Sequence, residues 1–292
     1  QAAFGNQCVA FQIPIGNAQD FKGVVSVIHP PADVPAEVAD QMEAARERLI
    51  EAVAETDDAL ADRYLEGEEL TNQEVEEAVR AGILSGNLVP IVAASSTDNV
   101  GVEECMALVR EFFPSPKDGV KPELATGGDG FEADPNGPLA AFVFKTTADP
   151  FVGKLSVFRV YRGVIKSNSE VWNSGRETAE RIGQLYLPRG KSQENVTEVS
   201  AGDIGAIGKL SDTLTGDTLC LREQPVSFEA IDFPVGFYRV AVSPATKADL
   251  DKMSTSLARI VEEDPTLRYS RDPDTAESLI SGLGDAQIDV AM

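Results

Sequence analysis

Asp149-Pro150-Phe151-Val152-Gly153-Lys154-Leu155, running on through Ser156-Val157-Phe158-Arg159-Val160-Tyr161-Arg162 to Gly163, decides the fold of the middle of this chain. Leu155 to Tyr161 is an apolar and aromatic run bounded by two glycines, with a proline turn ahead of it. That pattern reads as a strand leaving a hairpin. Ala141-Phe142-Val143-Phe144 supplies an apolar strand upstream, and glycines at 175, 183, 190, 202, 205 and 208 punctuate short runs downstream. Many short strands with glycine turns predict a small closed β-barrel over 138–228.

Beyond the barrel, residues 235–292 return to an α/β pattern. Arg239-Val240-Ala241-Val242 reads as a strand, and Leu250, Met253, Leu257 and Ile260 form one helical stripe ended by Asp264-Pro265. Strands follow at Leu267-Arg268-Tyr269 and near Ser278-Leu279-Ile280, and a second helix begins around Gln287-Ile288-Asp289-Val290. The order β-α-β-β-α predicts a ferredoxin-like split βαβ unit without its last strand. Ahead of the barrel, residues 117–137 are rich in Pro, Gly, Asp and Lys and read as a linker.

Residues 1–116 read as α/β. Short strands are expected at Val9–Gly16 and Gly23–Ile28, then a helix carrying Val38, Met42, Ala45, Leu49 and Val53 on one face. Thr71-Asn72-Gln73-Glu74 is a capping box, and its helix should bury Val75 and Val79 and stop near Gly82. Leu88–Ala93 reads as a buried strand. Val102, Cys105, Val109 and Phe112 mark a further helix that ends before Pro114-Ser115-Pro116.

The net charge of the chain is −23, which argues against nonspecific binding of nucleic acid by the whole surface, and no DNA partner is expected. The charge is uneven. Residues 33–80 hold 16 Asp/Glu against 4 Lys/Arg, a net −12, and read as a solvated acidic helical face. Residues 138–224 hold 11 Lys/Arg against 10 Asp/Glu, a net +1. An RNA-facing surface would therefore draw on Arg159, Arg162, Lys166, Arg176, Arg181, Arg189 and Lys191. Cys8, Cys105 and Cys220 lack CxxC spacing and read as reduced core thiols, and the lone His29 cannot build a histidine-rich metal site. No apolar run approaches the roughly 18 residues of a membrane span. Gln1-Ala2-Ala3-Phe4 lacks the charged start of a signal peptide, and the absence of Met suggests a chain lifted from something longer.

No G-x-x-x-x-G-K-[ST] loop and no Asn-Lys-x-Asp segment is present. Asp98-Asn99-Val100-Gly101 and Asp134-Pro135-Asn136-Gly137 fit D-x-x-G, but neither lies between a strand and a nucleotide-binding helix. No catalytic carboxylate pair and no metal site stands out. Glu262, Glu263 and Asp264 put negative charge at the wrong end of a helix dipole, which costs roughly 0.3–1 kcal/mol at exposed sites.

Lys145, the Asp149–Gly163 block, Thr215-Gly216-Asp217-Thr218-Leu219-Cys220, Glu262-Glu263-Asp264-Pro265-Thr266-Leu267 and Ser281-Gly282-Leu283-Gly284, in that order, resemble the second and third domains of elongation factor G. Pro14-Ile15-Gly16, Phe21-Lys22-Gly23-Val24-Val25 and Tyr64-Leu65-Glu66-Gly67-Glu68 resemble the last part of that family's GTPase domain and the insert it carries. The resemblance implies four parts: the C-terminal part of a P-loop GTPase domain with an acidic helical insert at 1–116, a linker at 117–137, the translation-protein barrel at 138–228, and a truncated ferredoxin-like domain at 235–292. It implies a ribosome-dependent GTPase of the cytoplasm, acting on ribosomal RNA and proteins in translocation or recycling, with GTP and Mg as cofactors of the parent protein. It also implies that backbone of the Ser95-Ser96 pair touches the guanine base, in place of the family's usual Ser-Ala. Because the phosphate-binding motifs are missing, this chain alone is expected neither to bind nor to hydrolyse GTP. A non-catalytic ribosome-binding or regulatory module, or a ribosomal-protection GTPase, are the alternatives. The family's usual Gly-Glu-Leu-His-Leu-Asp is Gly284-Asp285-Ala286-Gln287-Ile288-Asp289 here, a departure that points to a divergent paralogue.

Overall fold

The computed structural model describes residues 5–119, 121–128, 130–149, 152–190, 192–244 and 246–292. Pro150, Phe151 and Lys191 of the sequence patterns above, like Asp129 and the first four residues, lie outside the described residues. The chain divides into two compact units, Gln1–Gly119 and Val120–Met292.

In the first unit the chain runs β1 (Cys8–Ala10), β2 (Gln12–Ile15), β3 (Gly23–Ser26), α1 (Ala39–Ala54), α2 (Asp58–Leu65), α3 (Asn72–Ser85), β4 (Val89–Ile91) and α4 (Val102–Phe112). β2 and β3 form a hairpin, while β1 and β4 pair in parallel with Cys8 opposite Val89. The helical spacing of Met42, Ala45, Leu49 and Val53 puts all four in the core. The Arg46 guanidinium donates to the Val27 and Ile28 carbonyls, 3.0 Å each, and ties α1 to the segment leaving β3. Thr71 and Glu74 close the capping box, the Thr71 hydroxyl accepting from the Glu74 N–H and the Glu74 carboxylate accepting from the Thr71 N–H.

The structure departs from the sequence reading in several details: the run expected as one strand over Val9–Gly16 breaks at Phe11 into β1 and β2, which pair with different strands, and α2 was not expected. α3 passes through Gly82 to Ser85 and stops at Gly86, whose φ of 77° is the left-handed cap. Gly82 is there for close packing, since a Cβ on it would lie 2.9 Å from Leu88 Cβ. β4 is not a buried strand: Leu88 turns into the core but Val89 and Ile91 are exposed, because β4 has a ladder partner on one side only among the described residues. On α4 the buried pair is Leu108 and Phe112, four apart, with Val109 outside.

The second unit opens with ten strands. These are β5 (Ala140–Asp149), β6 (Gly153–Arg162), β7 (Val164–Lys166), β8 (Glu170–Asn173), β9 (Thr178–Arg181), β10 (Leu185–Arg189), β11 (Ser192–Val196), β12 (Glu198–Ser200), β13 (Ile204–Gly208) and β14 (Thr218–Cys220). Eight form one sheet in the order β11-β10-β13-β6-β5-β14-β8-β9, and β7 pairs with β12. Three residues join β9 to β10 although these strands stand near opposite ends of that order. The four peptide steps from Arg181 to Leu185 reach at most about 14 Å, whereas six strand spacings in a flat sheet need about 29 Å. The sheet must therefore curl until its ends approach. Phe158, Ile182, Leu185, Ile207 and Leu219 fill the enclosed core, with Ile165 and Val199 contributed by the β7–β12 pair. No ladder joins β9 to β11 among the described residues, so the barrel is closed by the passing chain rather than by a continuous ring of hydrogen bonds. The 117–137 stretch does not hang free. The Ala125 N–H donates to Ser227 O, the Glu229 N–H donates to Glu123 O, and Phe131 packs edge-on to Phe228.

The remainder is β15 (Tyr238–Val242), α5 (Leu250–Glu263), β16 (Arg268–Arg271), β17 (Ser278–Gly282) and α6 (Asp285–Ala291). The antiparallel order β15-β17-β16 is that of the first three strands of a split βαβ unit. Leu257, Leu267, Ile280 and Ile288 form its core with Met253 and Ile260 against them, while Leu250 at the start of the expected stripe is half exposed.

Candidate functional site

The loop after β4 holds Ser95 and Ser96. It is set in place from both sides. The Ala93 N–H donates to the Gln12 side chain, 3.2 Å, and Ser95 and Val100 exchange both backbone hydrogen bonds, 2.8 and 3.1 Å. The Ser95 hydroxyl donates to Asp98, 2.7 Å, so the D-x-x-G match at 98–101 is a turn of this loop. Gly101 has φ 72°, and a Cβ there would lie 2.7 Å from the Ala93 carbonyl oxygen. Of the predicted pair, Ser95 thus spends its backbone and hydroxyl within the loop, while Ser96 is exposed. Ser96 lines an open groove of about 420 Å³ with Pro14, Gly16, Phe21, Ala93 and Thr97. Nothing among the described residues around it supplies a loop for phosphates, and no cluster of three or more His, Cys, Asp or Glu that could hold a metal ion occurs among the described residues.

In the barrel, the sequence blocks build a polar network. Glu180 is 4% exposed, yet its carboxylate accepts the N–H groups of Ser211, Asp212 and Thr213 and the Thr213 hydroxyl, at 2.8–3.2 Å. The buried Asn173 donates to Thr213 Oγ1 and to Asp217, and Asp217 also accepts from Arg176 and the Leu214 N–H. The Thr215–Thr218 block is therefore held from inside the barrel as well as by its own turn. Asp149 does the same for the β5–β6 hairpin, accepting the Val152 N–H and the Gln193 side chain, 2.8 Å each.

Four of the basic residues in the barrel are engaged by neighbours. Arg176 is paired with Asp217 and Arg189 with Glu194, while Arg159 and Arg162 lie over the rings of Tyr161 and Phe131. Arg181 lines a second groove, of about 500 Å³, with Lys209, Tyr186 and Gln184. Cys8 and Cys220 are buried and Cys105 is half-buried, and none of the three is in a disulfide among the described residues. His29 is a surface residue near Glu76 and Glu111, stacked against Phe112.

A family model described as "Elongation factor G domain 2" matches residues 138–222, and one described as "Elongation Factor G, domain III" matches residues 233–292. Residues 138–222 and 233–292 belong to these two elongation factor G domain families. A crystal structure from Thermus thermophilus is similar at a TM-score of 0.78 and 29% identity, covering 98% of this chain and 43% of that chain. The chain thus spans less than half the length of that relative.

Within this elongation factor G-like frame, the departure at 284–289 has a structural counterpart. Gln287 donates to Asp264 Oδ2 and Thr266 Oγ1, 2.7 and 2.6 Å, and its carbonyl accepts the Leu283 N–H. Asp264 also accepts the Thr266 N–H and hydroxyl. Burial opposes its ionisation, but the Thr266 and Gln287 donors outweigh that and hold its pKa below the usual carboxylate value. Sequence reading missed Gln287, Glu180 and Asn173 as organising residues. The departure at 284–289 was the signal for Gln287, whereas the placement of Glu180 opposite Val171 emerges only with the ladder.

Proposed function

We propose that residues 1–292 form part of an elongation factor G-like, ribosome-dependent GTPase acting in translocation of tRNA and mRNA or in ribosome recycling, in the cytoplasm. The observation that carries this reading is the order of parts: elongation factor G domain 2 and then domain III, preceded by an α/β unit. That first unit reads as the C-terminal part of a GTPase domain with its acidic insert. Its parallel pair β1–β4 supports this, since parallel strands occur in larger sheets covered on both faces. The Ser96 side of the 93–101 loop is the surface that would meet a guanine base. The sequence carries no phosphate-binding motif, and on this reading the chain alone neither binds nor hydrolyses GTP.

The ribosome is the partner that this reading names. The test is co-sedimentation of the purified chain with ribosomes, alongside titration with a fluorescent GTP analogue. Pelleting that saturates, with no nucleotide binding up to roughly millimolar, is expected. Absence of pelleting at low salt, or micromolar nucleotide affinity, would overturn the respective halves of the proposal.

A further inference from the structure

The carboxylates at the end of α5 are at the disfavoured end of the helix dipole, and the contacts of two of them explain why. Glu263 Oε1 accepts the Ala148 N–H of β5 at 2.9 Å, and Glu262 lies 3.9 Å from the Lys154 ammonium of β6. Ala148 and Lys154 are register partners, so both contacts fall on one rung of the β5–β6 hairpin. Among the described residues, β14 and the turn leading into it bond the backbone of β5 from Ala140 to Val143, with the Thr215 hydroxyl reaching Thr146, and no ladder partner lies beyond on that side. The far end of β5 therefore presents an open edge, and an uncovered strand edge needs an acceptor. Glu263 supplies one. On the other side of the turn, Asp264 and Thr266 are bonded to Gln287 at the start of α6. An unbroken path of short polar contacts thus runs from α6, through the 264–266 turn, to the barrel hairpin.

We propose that Glu262 and Glu263 form a conformational joint that caps this open rung and sets the orientation of the third domain on the barrel, with Gln287 as the positioning residue that fixes the turn carrying it. The joint consists of one charge-assisted hydrogen bond and one long ion pair at the surface, a combination weak enough to open reversibly. Opening it frees the Ala148 N–H and the Lys154 ammonium together. The inference stands on the geometry of the second unit and is independent of the GTPase reading.

The test uses amide exchange on the full chain, with a spin label at Ser256→Cys in a Cys105→Ser background to report the orientation of α5 against the barrel. Glu263→Ala should speed exchange at Ala148 by roughly tenfold and weaken the label's effect on barrel amides near Lys154. Ile280 and Leu219, in the two cores, should keep their protection. Glu263→Gln retains a carbonyl acceptor and should fall between wild type and Glu263→Ala. Gln287→Ala should move both readouts in the same direction by less. Unchanged exchange at Ala148 in Glu263→Ala overturns the proposal. So does faster exchange with an unchanged spin-label pattern, because the contact would then be a local cap. If Glu263→Ala also strips protection from Ile280, Glu263→Gln decides by the same two readouts.

Discussion

Replacing Glu180 with Gln tests the polar network that holds the 211–218 loop. The substitution keeps size and shape and changes one oxygen to an NH₂ group. In the native barrel Glu180 Oε1 accepts from Asp212 N–H, Thr213 N–H and the Thr213 hydroxyl, 2.8 Å each, and Oε2 accepts from Ser211 N–H at 3.2 Å. A glutamine satisfies the first three with its carbonyl but turns a donor toward Ser211. The partly solvated Ser211 N–H loses its acceptor, and three charge-assisted bonds become weaker neutral ones at about 1 kcal/mol each. A net loss of about 3 kcal/mol follows. Trp172 is the only tryptophan of the chain and pairs with Ala179 beside Glu180, so its fluorescence reports the barrel alone. With a urea slope of about 1.5 kcal/mol/M, the unfolding midpoint should fall by about 2 M. A shift under about 0.3 M at unchanged slope would refute the reasoning, because it would mean the carboxylate's charge and second oxygen do not matter to the loop.

Other outcomes follow from single positions. Gly101→Ala meets both a φ of 72° and the Ala93 carbonyl oxygen 2.7 Å away, so the first unit should lose more than about 1 kcal/mol, read as earlier melting of its helical circular dichroism. Leu257→Ala removes a core residue that is 2% exposed from a small domain, and should cost about 2–5 kcal/mol. Ile280 amide protection should collapse while the Trp172 signal holds. Glu74 is held down to about 2, from an ordinary 4.5, first by Arg63 and then by the Thr71 hydrogen bonds of the capping box. A carboxyl whose folded value lies below its unfolded value stabilises fully above the unfolded value and loses that contribution as pH falls toward the folded one. Helicity of the first unit should therefore decline between about pH 4.5 and 2, and Arg63→Met should flatten that dependence.

Much of the fold was legible because its signals are local. The glycine-bounded run at 153–163, the capping box at Thr71 and the stripe ending at Asp264-Pro265 each state their structure within a dozen residues. What escaped depends on distant partners. Glu180 meets a loop 33 residues away, Glu263 meets a strand edge 115 residues away, and Gln287 closes on a turn 23 residues back. The position of the Ser95-Ser96 loop came from resemblance, but only the fold shows that Ser95 is spent on Val100 and Asp98 while Ser96 faces the groove. The basic residues of the barrel were legible as a set. Their contacts with Asp217, Glu194 and two aromatic rings were not, because each contact is fixed by where the strands meet.

The most direct test of the account is competition in trans. Purified chain is added in increasing excess to ribosomes and an intact elongation factor G, and ribosome-stimulated GTP hydrolysis is followed. If these domains occupy the factor's place on the ribosome, hydrolysis falls in a saturable, dose-dependent way. Hydrolysis that stays constant at every excess of chain would contradict the ribosomal role at the centre of this account.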